Sequence, residues 1–194
     1  YLIRFFVREH HSERADKAPY MDGRNKKFIL ELQKKSSVRR SSGLYTVDGP
    51  KMAGELDTDD VADIYVTKSF LASQHASDCE HLLRTVPYTV VQDSEMKQMS
   101  DTVSPQGILV VARQRRTKGI AAMAGNAGTP FFLILETIQD PGNLGTIIRM
   151  AEAAGVNGII VNRETVDIYS PKVVRSTMGA LLRVPIVTVE DEIR

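Results

Sequence analysis

The residues best suited to chemistry in this 194-residue chain lie in one run, Leu135-Glu136-Thr137-Ile138-Gln139-Asp140-Pro141-Gly142-Asn143-Leu144-Gly145-Thr146-Ile147-Ile148-Arg149. The run reads as the end of a strand, a tight turn set by Pro141 and Gly142, and the first turns of a helix. Asn143 can cap that helix through its side-chain amide, and Gly145 allows close backbone approach. Exposed amides at such a helix start suit an anion. The spacing is G-x-x-G and not G-x-G-x-x-G, so a dinucleotide loop is disfavoured, and an ordinary α/β turn uses the same residue types. Arg149 falls among Leu144, Ile147, Ile148, Met150 and Ala151, so it is either solvated on the outer helix face or aimed at a site. Composition favours the outer face. Arg149 follows Asn143 by six residues, about 240° around a helix, which neither proves nor excludes a shared site.

Charge supplies the second signal. Residues 24–40 hold seven bases (Arg24, Lys26, Lys27, Lys34, Lys35, Arg39, Arg40) and one acid, Glu31, whereas residues 55–63 hold five acids and no base. Arg113, Arg115, Arg116 and Lys118 form another basic cluster. These patches average to a net charge of +1, which by itself points to no partner. Cys79 is the one cysteine, so neither a disulfide framework nor a Cys-rich metal site can be built, and a reducing, cytoplasmic setting is expected. His75 and His81 share no cluster with another ligand type, so no metal is expected. Met96 and Met99 suit core filling. No apolar run approaches the roughly 18–20 residues of a membrane span.

The elements that must position these residues alternate between helix and strand, which argues an α/β fold. Residues 26–35 place Phe28, Ile29 and Leu32 on one helical face. Residues 44–47, 64–67, 88–91 and 108–111 are strand candidates, with helical stretches at 50–56, 73–84 and 93–100 between them. A basic, small-residue stretch over 114–129 reads as a linker. From Pro130 a second unit begins: an apolar strand over 131–138, a helix over 143–154, an apolar strand over 158–161, a helix around 171–178 and a strand over 182–187. That pattern is a buried parallel sheet with helical crossovers. The expected division is therefore 1–21 as a tag or upstream extension, 22–112 as a first domain, 113–129 as linker and 130–194 as part of a second. About three strands and two helices would leave sheet faces and edges open, so the second domain is expected to continue past Arg194.

Leu135 to Gly158 closely resembles the first motif of the SpoU (TrmH-type) RNA 2′-O-methyltransferases of the SPOUT superfamily, with a D-P-x-N-x-G-x-x-x-R core intact. A second stretch, Ser170-Pro171-Lys172-Val173-Val174-Arg175-Ser176-Thr177-Met178-Gly179-Ala180 followed by Arg183-Val184-Pro185-Ile186, is similar to the family's basic helix, turn and Pro-ended strand. Residues 44–51 and 99–108 resemble the substrate-binding domain that many members carry, a small α/β fold like an RNA-binding ribosomal protein. The resemblance implies a SPOUT α/β-knot domain with a parallel sheet, a homodimer through that domain when complete, and methyl transfer from S-adenosylmethionine to a ribose 2′-hydroxyl, with ribosomal RNA favoured. By position it implies that Arg149 helps deprotonate the hydroxyl and that Asn143 orders the site. An arginine normally stays protonated, so stabilising a developing alkoxide or orienting a phosphate is an alternative role. In this context Lys34, Lys35, Arg39, Arg40 and Arg175 become candidate RNA-phosphate contacts, with Arg39 and Arg40 foremost. The family's later Asn-Glu-Gly, Ile-Pro-Met and Ser-Leu-Asn motifs would follow Arg194, and the cofactor-binding residues are expected among them. The alternative reading is a catalytically inactive RNA-binding fragment or paralogue.

Overall fold

A computed structural model describes residues 23–115, 119–124 and 129–189. The 1–21 extension, Arg116 and Lys118 of the second basic cluster, and residues 190–194 lie outside them.

The chain begins with α1 (Gly23–Lys34) and α2 (Ser36–Ser42), then β1 (Leu44–Asp48), α3 (Pro50–Ala53), β2 (Val61–Thr67) and α4 (Lys68–Leu71). A 3-10 turn (Gln74–Cys79) leads into α5 (Glu80–Thr85), β3 (Thr89–Val91), α6 (Asp93–Met99) and β4 (Ile108–Arg113). The four strands form a sheet in the order β1-β4-β2-β3, antiparallel except for the β2–β3 pair. Strand β4 is central and reads Ile-Leu-Val-Val-Ala because both of its faces are covered. Leu109 and Val111 point into a cluster with Ile29 and Leu32 of α1 and Met96 and Met99 of α6. Ile108, Val110 and Ala112 point the other way, into a larger core.

Two sequence expectations change here. The helix expected over 26–35 starts earlier and ends at Lys34; Lys35, with extended backbone (φ −117°, ψ 112°), separates α1 from α2. The helix over 73–84 is split between the 3-10 turn and α5.

The stretch read as a linker contains α7 (Ile120–Ala124), whose Met123 is buried. Strand β5 (Phe132–Leu135), α8 (Pro141–Ala153), β6 (Gly158–Asn162), α9 (Pro171–Ser176), a 3-10 turn (Ala180–Leu182) and β7 (Ile186–Val189) follow. The three strands are all parallel, in the order β5-β6-β7. Two successive right-handed crossovers in one direction put α8 and α9 on the same sheet face, side by side. Leu144, Ile148 and Ala151 of α8 and Val173 and Val174 of α9 fill the space beneath. On the other face Ile134 remains 51% exposed.

The larger core is continuous between the two sheets. It joins Tyr45, Val47 and Val110 of the first to Leu135, Ile159 and Val161 of the second. Helix α9 packs on β1, and the Tyr45 and Tyr169 rings meet at 4.8 Å between centroids, tilted by 45°.

Candidate active site and nucleic-acid interface

Strands β5 and β6 end side by side, and the turn after β5 carries the chemical motif. In an open parallel sheet this carboxyl edge is where ligands bind. Asp140 is the N-cap of α8: its Oδ1 accepts a 2.7 Å bond from the Asn143 amide, and Pro141 occupies the first helical turn. The capping role expected of Asn143 therefore belongs to Asp140. Proline needs no hydrogen-bond acceptor for its nitrogen and so suits the position after the cap. Asn143 lies one turn in, exposed.

The burial of Leu144, Gly145, Ile148 and Ala151 fixes the rotation of α8. Asn143 and Arg149 then both fall on its solvent half, about 9 Å apart along the axis at 1.5 Å per residue. Arg149 occupies the outer face that composition favours. Neither side chain has a hydrogen bond or ion pair among the described residues. Gly145 lies where α8 touches α9: a Cβ there would sit 2.5 Å from the Ser176 Cβ and 2.8 Å from its carbonyl carbon. Ser176 in turn donates its hydroxyl to the Pro141 carbonyl at 3.0 Å, tying the two helices at the motif.

The turn over 136–140 is held from one side. Thr137 has φ 57°, a left-handed conformation rare and strained for a β-branched residue. Its amide donates to Asn162 Oδ1 at 3.0 Å and its hydroxyl to Glu164 at 3.0 Å. The Ile138 amide donates to Thr165 Oγ1 (3.3 Å), the Val166 amide donates to the Ile138 carbonyl (2.8 Å), and the Gln139 side chain donates to the Glu164 carbonyl. Asn162 Oδ1 also accepts from the amide and hydroxyl of Thr165. The loop from Arg163 to Ser170 is thus, with Asn162 before it, a template for the turn over 136–140. Sequence reading passed over it; the polar run directly after a fully buried strand was the available signal.

The candidate RNA contacts divide. Lys34, Lys35 and Arg40 are exposed within seven residues of one another; Lys35 pairs with Glu31 at 3.0 Å, and Arg40 donates to Ser36 Oγ at 3.5 Å. Arg39 does not belong with them. Its side chain is 4% exposed, donates through Nε and Nη2 to Asp167 at 2.7 Å, and through Nη1 to the Leu32 and Gln33 carbonyls at 2.5 and 3.1 Å. Those carbonyls are the unpaired acceptors at the end of α1, so Arg39 caps that helix and cannot reach a phosphate. Arg175, on α9, is 32% exposed and donates to Asp101 at 3.0 Å, while its Nη1 is buried without a hydrogen-bond partner. Nearby Asp48 accepts from Ser100; burial pushes its carboxyl above the ordinary range, and the Ser100 bond and the Arg175 charge pull it back.

Neither of two cavities lies at this edge. One, of about 280 Å³, is lined by Met123, Tyr169, Leu182, Arg183 and Pro185 and opens at the amino end of β7; the other sits beside Asp57, Asp60 and His81. At the edge itself the described residues supply the turn and the start of α8.

Fold and edge define an α/β protein with a parallel sheet and a polar, helix-capped turn at its carboxyl end. Residues 130–193 match the model of the SpoU rRNA Methylase family. It is 31% identical over 183 residues to human "rRNA methyltransferase 3, mitochondrial", covering 90% of this chain and 41% of the relative. A shorter match, 31% over 98 residues, covers 50% of this chain and 37% of the Bacillus subtilis 23S rRNA (guanosine(2553)-2′-O)-methyltransferase RlmP. The crystal structure of an AdoMet-bound rRNA methyltransferase from Sinorhizobium meliloti is 26% identical with a TM-score of 0.68, covering 88% of this chain and 64% of that one. The chain thus spans less than two thirds of each of these proteins.

Proposed function

We propose that the protein is an RNA ribose 2′-O-methyltransferase acting on ribosomal RNA with S-adenosylmethionine as methyl donor. The observation that carries this reading is the family match over 130–193, with its Asp140–Arg149 core placed at the carboxyl edge of a parallel sheet. S-Adenosylmethionine, when bound, supplies an electrophilic methyl group. The chain's own contribution is positional and electrostatic. The cap by Asp140 fixes the start of α8, and with it Asn143 and Arg149 on the accessible side of that helix. A protonated Arg149 stabilises negative charge developing on the 2′-oxygen or holds the adjacent phosphate; both use its permanent charge and two-pronged geometry. Lys34, Lys35 and Arg40 form the basic surface of the first unit and are assigned to RNA phosphates. A homodimer through the methylase unit is part of the same reading.

The test is transfer of tritium from labelled S-adenosylmethionine to ribosomal RNA by the full-length protein. Wild type should label the RNA and Arg149→Ala should lose most of that labelling, on the order of a hundredfold or more if Arg149 supplies a transition-state contact. Equal labelling by both would remove Arg149 from the mechanism. RNA binding with no labelling by wild type would leave an RNA-binding protein without activity.

A further inference from the structure

The Arg163–Ser170 loop has two sides. One grips the turn over 136–140 through Glu164 and Thr165, beside Asn162 at the end of β6. The other faces the first unit: Asp167 takes both remaining prongs of Arg39, and the Tyr169 ring packs at a tilt against Tyr45. Asp167 also accepts from the Tyr169 amide at 2.9 Å, so the two contacts are made by one compact segment. Among the described residues the Arg39 pair is the buried ionic contact between the units. The others, Arg183 to Glu55 and Arg175 to Asp101, are a third or more exposed at one partner or the other.

From this geometry we infer that Arg39 is a positioning residue: by anchoring Asp167 it holds the Arg163–Ser170 loop, and through that loop the strained Thr137 turn that sets the start of α8. The substrate-binding unit and the catalytic turn are thereby coupled through one guanidinium, which spans the end of α1 and the loop after β6. The inference rests on the methyltransferase reading for its effect on catalysis; the effect on the turn stands independently.

Amide hydrogen exchange in the protein tests the structural step. In Arg39→Ala the amides of Thr137 and Ile138 should exchange at least about tenfold faster, while those of central strand β4 stay at wild-type rates. Arg39→Lys keeps the charge but cannot bridge Asp167 and two carbonyls at once, so it should fall between. Unchanged exchange at Thr137 and Ile138 in Arg39→Ala overturns the inference. If Arg39→Ala speeds every amide alike, Arg39→Lys decides: a selective increase in the turn supports the inference, and a uniform one overturns it.

Kinetics separates positioning from RNA contact. Arg39→Ala should lower kcat by about ten- to a hundredfold with KM near wild type, because a small misplacement of reacting groups acts on the chemical step. Its RNA affinity should stay within about twofold, with an unchanged salt slope, since a lost phosphate contact would lower that slope by about 1. Weaker RNA binding with a shallower slope and a wild-type turn would make Arg39 an RNA ligand instead. Absence of methylation by wild type would sink the methyltransferase reading and leave the exchange result to decide the coupling.

Discussion

Gly145→Ala sets two opposing effects against each other at the α8–α9 contact. Replacing a helix-interior glycine by alanine stabilises a helix by up to about 1 kcal/mol. Here, however, the new Cβ would lie 2.5 Å from the Ser176 Cβ and 2.8 Å from the Ser176 carbonyl carbon, inside the 3.4 Å where ordinary contact begins. The carbonyl carbon is backbone and no rotamer change removes it, so α8 and α9 must move apart by roughly half an ångström to 1 Å. That loosens Leu144, Ile148, Val173 and Val174 beneath them and lengthens the Ser176–Pro141 bond. Overpacking of this kind costs about 1–3 kcal/mol, and the backbone clash puts the site at the upper end. The net expectation is a loss of about 2 kcal/mol, or about 4–8 °C in Tm for a chain of this size. Urea denaturation followed by circular dichroism should show a lower midpoint with an unchanged slope. Ser176→Gly in the Gly145→Ala background removes the side-chain clash and leaves the backbone one, so about half the loss should return. A neutral or stabilising Gly145→Ala would show that helix propensity wins and that the close approach is not rigid.

Three further outcomes follow from the same geometry. Asp140→Ala removes the N-cap acceptor and should cost about 1 kcal/mol in the same urea assay, whereas Asn143→Ala, which caps nothing, should cost far less. Arg183→Ala breaks ion pairs to Glu55 and Glu152 from a side chain that is 46% exposed, and should cost about 1 kcal/mol or less, against about 3–5 kcal/mol for Asp167→Ala, which strands the buried Arg39 charge. Similar losses from both, measured by urea midpoints, would refute the ranking. Burial pushes the Cys79 thiol and the Tyr65 and Tyr169 hydroxyls up to about 12, and Tyr45 higher still. The folded state therefore holds these protons after the unfolded chain has released them. Stability from these groups should be intact below about pH 9 and fall as pH rises toward about 12, read as a declining urea midpoint.

Much of the fold was legible because burial left its mark on residue type. Strand β4 is apolar without interruption since sheet residues above and below it are both covered, and the β5–α8–β6 unit shows the same signature followed by a helix start. The cap of α8 is legible locally: with proline in the first turn, the residue before it is the cap, and that is Asp140. The break at Lys35 is not legible from local pattern. It depends on Arg39 reaching back to the Leu32 and Gln33 carbonyls and forward to Asp167, 128 residues away. The same long-range contact is why the sequence alone puts Arg39 on an RNA surface. A run of bases looks solvated when read in sequence, and nothing local distinguishes the one whose partner lies in another element from Lys34, Lys35 and Arg40 beside it.

Two units joined by a linker would ordinarily move relative to one another, because contacts between domains are small and polar. This chain departs from that expectation on two counts. Tyr45, Val47 and Val110 share one apolar cluster with Leu135, Ile159 and Val161, so separating the sheets exposes core on both sides. Separation would also take Asp167 from the buried Arg39 guanidinium, a cost borne by the first unit even where the second stays folded. The orientation of Lys34, Lys35 and Arg40 relative to α8 is therefore set by the fold itself. On the proposed methyltransferase reading, RNA held on the first surface would meet Arg149 at a fixed offset, and the choice of nucleotide would depend on which ribose the RNA's own shape presents there.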